Sequence, residues 1–284
     1  MAAIFPDMDA SRPITADPVA LIAAANDHHA TNIFASPALI ERVGRYAIDN
    51  GATMPTVKRV ISAGAPAEPS SLERFAKLLP EDAEIWPSYG ATEALPVART
   101  ESRELSKTAE ATANGAGVCV GTPLGAIDIR IVKITDAGIT KWSNDLELPA
   151  GRIGEICVRG PVVTDAYFNR PDSTAAAKIR LEDGTFYHRM GDLGYLDDDG
   201  RLWFCGRKNH RVVTNDKTYF TIPCERVFNT IEGIRRTALV GVTRATGTVP
   251  VIVVEPESNN VDFDQIRNQI NALAKEHDCT RGIS

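Results

Sequence analysis

With 284 residues, 43% of them hydrophobic, the chain is long enough for two domains that each bury a core. A net charge of -6 argues against a nucleic-acid or anionic-membrane surface and leaves room for a local anion site, so small-molecule chemistry is the expectation. Five scattered cysteines without a CxxC pair point to reduced thiols of a cytoplasmic protein rather than a disulfide framework, and no apolar run approaches the roughly 20 residues that span a bilayer.

The N-terminus lacks the basic-then-apolar pattern of a secretory signal. Neither Met1 nor Ser284 sits beside cap or tail chemistry, which reads as an excerpt from a longer chain. Asp17 followed by Pro18 is an N-cap and first helical residue, opening a helix with Val19, Ile22 and Ala25 on one face. His28 and His29 fall at the end of that helix, and residues 32–35 are expected as a short buried strand. Ser36 and Pro37 repeat the capping device; Leu39, Ile40, Val43 and Ala47 keep helical spacing, and Gly51 supplies the stop.

The pattern then predicts a strand over 57–63, a helix over 69–79 and a strand over 84–86. Repeated β-α units imply a parallel sheet between helices, with ligands just beyond the carboxyl ends of its strands. Two loops fall there. Ala63, Gly64, Ala65 and Pro66 offer small-residue backbone that could lie flat against a base, or they make a tight strand-to-helix turn. Tyr89-Gly90-Ala91-Thr92-Glu93 gathers an aromatic face, a glycine that admits close backbone approach, a hydroxyl for phosphate and a carboxylate for Mg2+. A turn carrying a stray aromatic is the alternative.

Residues 98–117 are polar and alanine-rich, as in a surface helix and loop. Beyond Val118 the period changes to two: Ile127, Ile129 and Ile131 alternate with Asp128 and Arg130, and further strands are expected over 151–160, 187–190 and 201–205. A small β-barrel or distorted sheet follows. Asp192 is expected to end a strand and could take vicinal ribose hydroxyls, and Arg207 could fork onto hydroxyls or phosphate. An Asx-turn and a surface ion pair are the respective alternatives.

From Asn209 a helix over 223–231, strands over 238–242 and 249–254 and an amphipathic helix over 261–275 read as a separate small α+β unit. The division expected is 1–117 (α/β, partial), 118–205 (barrel-like) and 206–284 (small α+β, incomplete), with a hinge near 206–209. The five histidines show no HExxH or other metal-ligand spacing, and neither a GxSxG elbow nor a GxxxxGK[ST] loop is present.

Four motifs stand in order between residues 62 and 208: SAGAP, YGATE, GEICVRGP and HRMGDLGYLDDDGRLWFCGRK. In this order they resemble the adenylate-forming superfamily of acyl-CoA synthetases, luciferases and peptide-synthetase adenylation domains. FPDMDASRP, YGATEALPV, FNRP with TAAAKIR, and RTALVGV are similar to the branch that makes β-lactones in bacterial long-chain hydrocarbon biosynthesis. The resemblance implies that Gly64, Ala65 and Pro66 line adenine, that Tyr89 stacks on it beside Gly90, and that Thr92 binds the α-phosphate. It implies Glu93 for Mg2+, Asp192 for the ribose hydroxyls with Arg207 as a second contact, and Glu155 as structural support.

The implied reaction has two steps. A long-chain β-hydroxy acid or fatty acid attacks the α-phosphorus of ATP, giving an acyl-adenylate and pyrophosphate; then either the substrate's own β-hydroxyl closes a lactone or CoA displaces AMP. Other hydrocarbon-biosynthesis enzymes are implied as partners. A non-catalytic module that binds AMP or a partner is the alternative from another class. This sequence departs from the superfamily pattern in several places. No Ser/Thr/Gly-rich phosphate loop is present, and Lys217 and Lys275 stand in the wrong context for the superfamily's C-terminal lysine. Asn209 replaces the usual hinge Asp or Lys, and 214–217 replace a glycine pair. These residues alone are therefore expected to adenylate little or nothing, and to leave an apolar sheet face uncovered.

Overall fold

Both cap-plus-proline signals open helices in the computed structural model, which describes residues 2–9, 11–245, 247–258 and 260–283. Met1 and Ser284, the two ends of the expected excerpt, lie outside the described residues. The chain forms two units, one of residues 1–107 with 120–124, the other of 108–119 with 125–284. No helix among the described residues is long and apolar enough to cross a membrane.

In the first unit, the Asp17 carboxylate accepts from the Val19 amide at 2.9 Å and starts α1 (Pro18–Asp27). Ile22 and Ala25 are buried, whereas Val19 is exposed. His28 caps the helix, and His29 follows at φ 50°. After β1 (Asn32–Ala35) comes α2 (Pro37–Asn50), which ends at Gly51 with φ 63°, a left-handed position suited to glycine. β2 (Arg59–Ser62), α3 (Pro69–Ala76) and β3 (Glu84–Ala91) continue the alternation. The chain returns through β4 (Ala94–Arg99), the short α4 (Ser102–Ser106) and β5 (Val118–Pro123).

The strand order is β1-β2-β3-β4-β5, with the first three parallel. Right-handed crossovers put α2 and α3 on one face of these three strands. The two helices pack closely at Gly44, where a Cβ would stand 3.3 Å from the Phe75 amide nitrogen. Val60 and Ile85 are buried, as are Ile40, Val43, Leu72 and Phe75 of the helices. The period of two sends alternate residues to the other face, where Phe34, Ile61 and Trp86 stand in register across β1, β2 and β3. Phe34 is 69% exposed and Ile61 38%. The expected burial of residues 32–35 therefore holds at Ala35 and in part at Ile33 but fails at Asn32 and Phe34, because β1 is an edge strand.

In the second unit, α5 (Ala109–Ala113) precedes a bulged antiparallel sheet. Its strands are β6 (Asp128–Val132), β7 (Gly154–Arg159), β8 (Lys178–Arg180), β9 (Phe186–Leu196) and β10 (Leu202–Arg207), with α6 (Pro171–Ala177) leading into β8. Their order is β10-β9-β7-β6, with β8 also on β9. Asp192 does not end a strand as expected. The backbone turns at Gly191 (φ 67°), and pairing then resumes, Asp192 opposite Arg207 and Leu193 opposite Glu155.

The C-terminal part holds the short pair β11 (Val212–Val213) and β12 (Thr218–Tyr219), α7 (Thr221–Phe228), the hairpin β13 (Ile234–Arg244) and β14 (Gly247–Pro256), and α8 (Phe263–Glu276). Asp262 caps α8 by accepting from the Asp264 and Gln265 amides at 3.0 and 2.9 Å. Val212, Phe228, Leu239, Ile252, Ile266 and Ile270 share one apolar cluster there.

Candidate functional site

The SAGAP stretch begins at the carboxyl end of β2, where the Ser62 hydroxyl is buried and without a hydrogen-bond partner. Gly64 follows at φ 107°, exposed, with nothing within 4 Å of the place a Cβ would take. Ala65 is also exposed and Pro66 half-buried. The segment is the strand-to-helix connection into α3, and it presents flat backbone on the way. Register places Ser62 opposite Pro87, so this loop lies beside the second half of β3.

YGATE lies differently from expectation. β3 does not stop at Trp86; it runs on to Ala91, turns at Thr92 and Glu93, and returns as β4, with Tyr89 opposite Ala98 and Ala91 opposite Ala94. The motif is thus the tip of a hairpin. Proline 96 hid the return strand from sequence reading, since proline within a run argues against a strand. Gly90 has a structural reason of its own: a Cβ there would stand 2.6 Å from the Ala94 carbonyl oxygen and 2.7 Å from Leu95 Cδ1. Thr92 is exposed, Glu93 half-buried, and Tyr89 only 9% exposed, so little of its ring is offered to a ligand. Beneath the hairpin the Arg99 guanidinium covers the Trp86 ring at 4.4 Å.

These residues fit a nucleotide in two respects. The unfilled space before Gly64 and the exposed Ala65 suit a flat base, and the Thr92 hydroxyl stands open to an anion. Among the described residues no group of three or more His, Cys, Asp or Glu could hold a metal ion. Glu93 would supply one carboxylate, with phosphate and water completing the shell, which is how Mg2+ is ordinarily held.

In the second unit Asp192 and Arg207 are brought together. Asp192 is buried, and its Oδ1 accepts from Arg207 Nη1 at 2.8 Å, while the Arg207 side chain is 52% exposed. The ion-pair alternative for Arg207 is therefore the observed geometry. The pair fixes the carboxylate at the Gly191 turn, where the space before the glycine is open.

Sequence reading assigned Glu155 a supporting role without naming its partners, Arg189 and Lys208. Glu155 is 1% exposed. Its Oε2 accepts from Arg189 at 2.6 and 3.1 Å, and its Oε1 accepts from Lys208 Nζ at 3.0 Å. Arg189 also donates to the carbonyls of Thr135 (2.7 Å), Ala137 (2.9 Å) and Ala176 (3.3 Å), and Lys208 to Thr135 (3.2 Å). The available signal was charge where apolar residues dominate: Glu155 next to Ile156, and Arg189 between His188 and Met190. Burial first, and the Glu155 charge second, push the neighbouring Cys157 thiol up, so it stays protonated.

Residues 8–168 match the profile of a family described as AMP-binding enzyme. Over its whole length the chain is 48% identical to the olefin beta-lactone synthetase of Stenotrophomonas maltophilia and 45% identical to that of Xanthomonas campestris pv. campestris. It covers 51% of each, so it spans about half the length of the curated relatives it matches. The amide bond synthetase McbA from Marinactinospora thermotolerans has a similar fold, with a TM-score of 0.74 at 24% identity over 95% of this chain and 50% of that one.

Proposed function

Because the chain belongs to the AMP-binding enzyme family, we propose that it contributes the adenine-and-phosphate corner of an ATP-dependent enzyme that activates a long-chain β-hydroxy acid and closes it to a β-lactone. The observation that carries this reading is the full-length similarity to two olefin beta-lactone synthetases, which a generic nucleotide fold would not produce. The division into 1–117, 118–205 and 206–284 belongs to the same proposal.

In this reading Gly64, Ala65 and Pro66 line the base, Tyr89 faces it, and Gly90 lets the hairpin close behind it. Thr92 donates its hydroxyl to the α-phosphate, and Glu93 holds Mg2+, which neutralises phosphate charge when bound. Asp192 accepts from the ribose hydroxyls while Arg207 holds its carboxylate in place. The substrate carboxylate attacks the α-phosphorus and pyrophosphate leaves. The β-hydroxyl oxygen then attacks the acyl carbon, AMP leaves with the bonding pair, and the hydroxyl proton is lost. Holding nucleophile and electrophile in one molecule replaces a second substrate by proximity. Charge stabilisation at the α-phosphate supplies the rest.

The test is to express the gene with the coding sequence that flanks it and to supply ATP, Mg2+ and a long-chain β-hydroxy acid. AMP and a β-lactone are expected without CoA. If AMP forms only when CoA is added, and no lactone appears, acyl transfer to CoA is the function instead.

A further inference from the structure

Two of the five cysteines, neither with a role above, meet in the C-terminal part of the second unit. Cys224 lies fully buried in α7, and Cys279 follows the end of α8 at a partly exposed position. The Cys224 thiol donates to the Cys279 carbonyl at 3.1 Å, and the Cys279 thiol reaches the Pro223 carbonyl at 3.9 Å, so each sulfur sits against the other cysteine's stretch of backbone. The segment carrying Cys279 is anchored there. Tyr219 donates its hydroxyl to the Arg281 carbonyl at 2.7 Å, Lys217 donates to the Asp278 carbonyl, and Ile283 joins the apolar cluster that contains Cys224. Gly115 makes room for the sulfur: a Cβ there would stand 2.4 Å from Cys279 Sγ.

The pair is asymmetric in the way oxidation chemistry requires. Its contact with Cys224 lowers the Cys279 thiol, burial opposes this, and the Lys217 ammonium adds to the lowering. The same contact, with burial, raises Cys224. Thiolate character and solvent access together select the cysteine that an oxidant meets first. Cys119, Cys157 and Cys205 are all buried, and burial pushes the last two thiols up.

We propose that Cys224 and Cys279 are a reversible dithiol that closes to an intrachain disulfide on exposure to a peroxide. The Cys279 thiolate attacks one peroxide oxygen, the O–O bond breaks, and a sulfenic acid forms with loss of hydroxide. The Cys224 sulfur then attacks the sulfenic sulfur and expels the second hydroxide, and the two thiol protons leave as part of two waters. The net change is two-electron oxidation of the dithiol by one peroxide. Closing the bond brings the two sulfurs to about 2 Å. The bond would tie the segment after α8 to α7 and enclose β13, β14 and α8 in one covalent loop.

The test is a non-reducing peptide map of the full chain after native treatment with hydrogen peroxide, with unfolding and N-ethylmaleimide alkylation before digestion. The expected result is one cross-linked pair joining Cys224 to Cys279, two hydrogens lighter than the two reduced peptides and reversed by dithiothreitol. Cys119, Cys157 and Cys205 are expected as maleimide adducts. In Cys224→Ser the same treatment should leave a Cys279 sulfenic acid that dimedone traps. An unmodified or sulfinic Cys279 with no cross-link in the wild-type chain, or a cross-link joining any other pair, overturns the proposal.

Discussion

Glu155 is a single carboxylate holding two cations, and the consequences can be ranked by what each deletion strands. Glu155→Gln leaves Arg189 buried without its counter-charge, and breaking a buried pair from one side costs about 3–5 kcal/mol. Lys208→Met removes one contact to Glu155 and one to the Thr135 carbonyl, which Arg189 also binds, and Arg189 still neutralises Glu155 through two N–H groups. The expected order of urea midpoints is therefore wild type, then Lys208→Met, then Glu155→Gln, at unchanged m-value. Equal losses would mean that Lys208 carries as much of the pairing as Arg189.

At the scale of elements, Glu41 of α2 ties its helix to α3. It accepts from the Ser71 hydroxyl and the Arg74 guanidinium, both at 2.5 Å, and pairs with Arg45 on its own helix. Burial works against ionisation, but these donors outweigh it and bring the carboxyl from 4.5 down to about 2. A carboxyl depressed in the folded state stabilises fully above its unfolded value, and that contribution disappears as pH falls from 4.5 towards 2. With Glu41 and Arg74 each 28% exposed and Arg45 out in solvent, screening leaves about 1–2 kcal/mol as the expected size. Glu41→Gln should flatten the fall in stability over that window in an acid titration followed by denaturant unfolding. The hairpin offers a second measurement. Gly90→Ala forces a methyl against the Ala94 carbonyl and Leu95, so about 1–3 kcal/mol should be lost, read as a lower urea midpoint.

How much of this was legible follows from the range of the forces involved. Caps and stops at Asp17, Ser36, Gly51 and Asp262 depend on neighbours within a turn, and the sequence pattern names the first three. The continuation of β3 through YGATE, and of β9 past Gly191, depends on partner strands, and local punctuation by Gly90, Pro96 and Gly191 argues against both. Exposure of Phe34 depends on what covers a sheet face, which no local pattern carries. For the candidate site, the motifs supplied residue types in order, but that Asp192 is held by Arg207 emerges only from the register of β9 and β10.

At the scale of the whole molecule, the row Phe34, Ile61 and Trp86 leaves apolar surface on an edge strand and its neighbours, a template for association. Sedimentation of the chain should show mass rising with concentration, and Phe34→Ser should reduce it. Unchanged association in that variant would place the sticky surface elsewhere. The hairpin tip, finally, limits how the candidate site can change over generations. Thr92 and Glu93 form the whole connection between Ala91 and Ala94, and these two are register partners. One inserted residue there would slip the register and turn the side chains of β4 to opposite faces. The hairpin thus fixes the number of residues at this corner whatever their kind, so lineages can remodel it by replacing letters and not by lengthening the word.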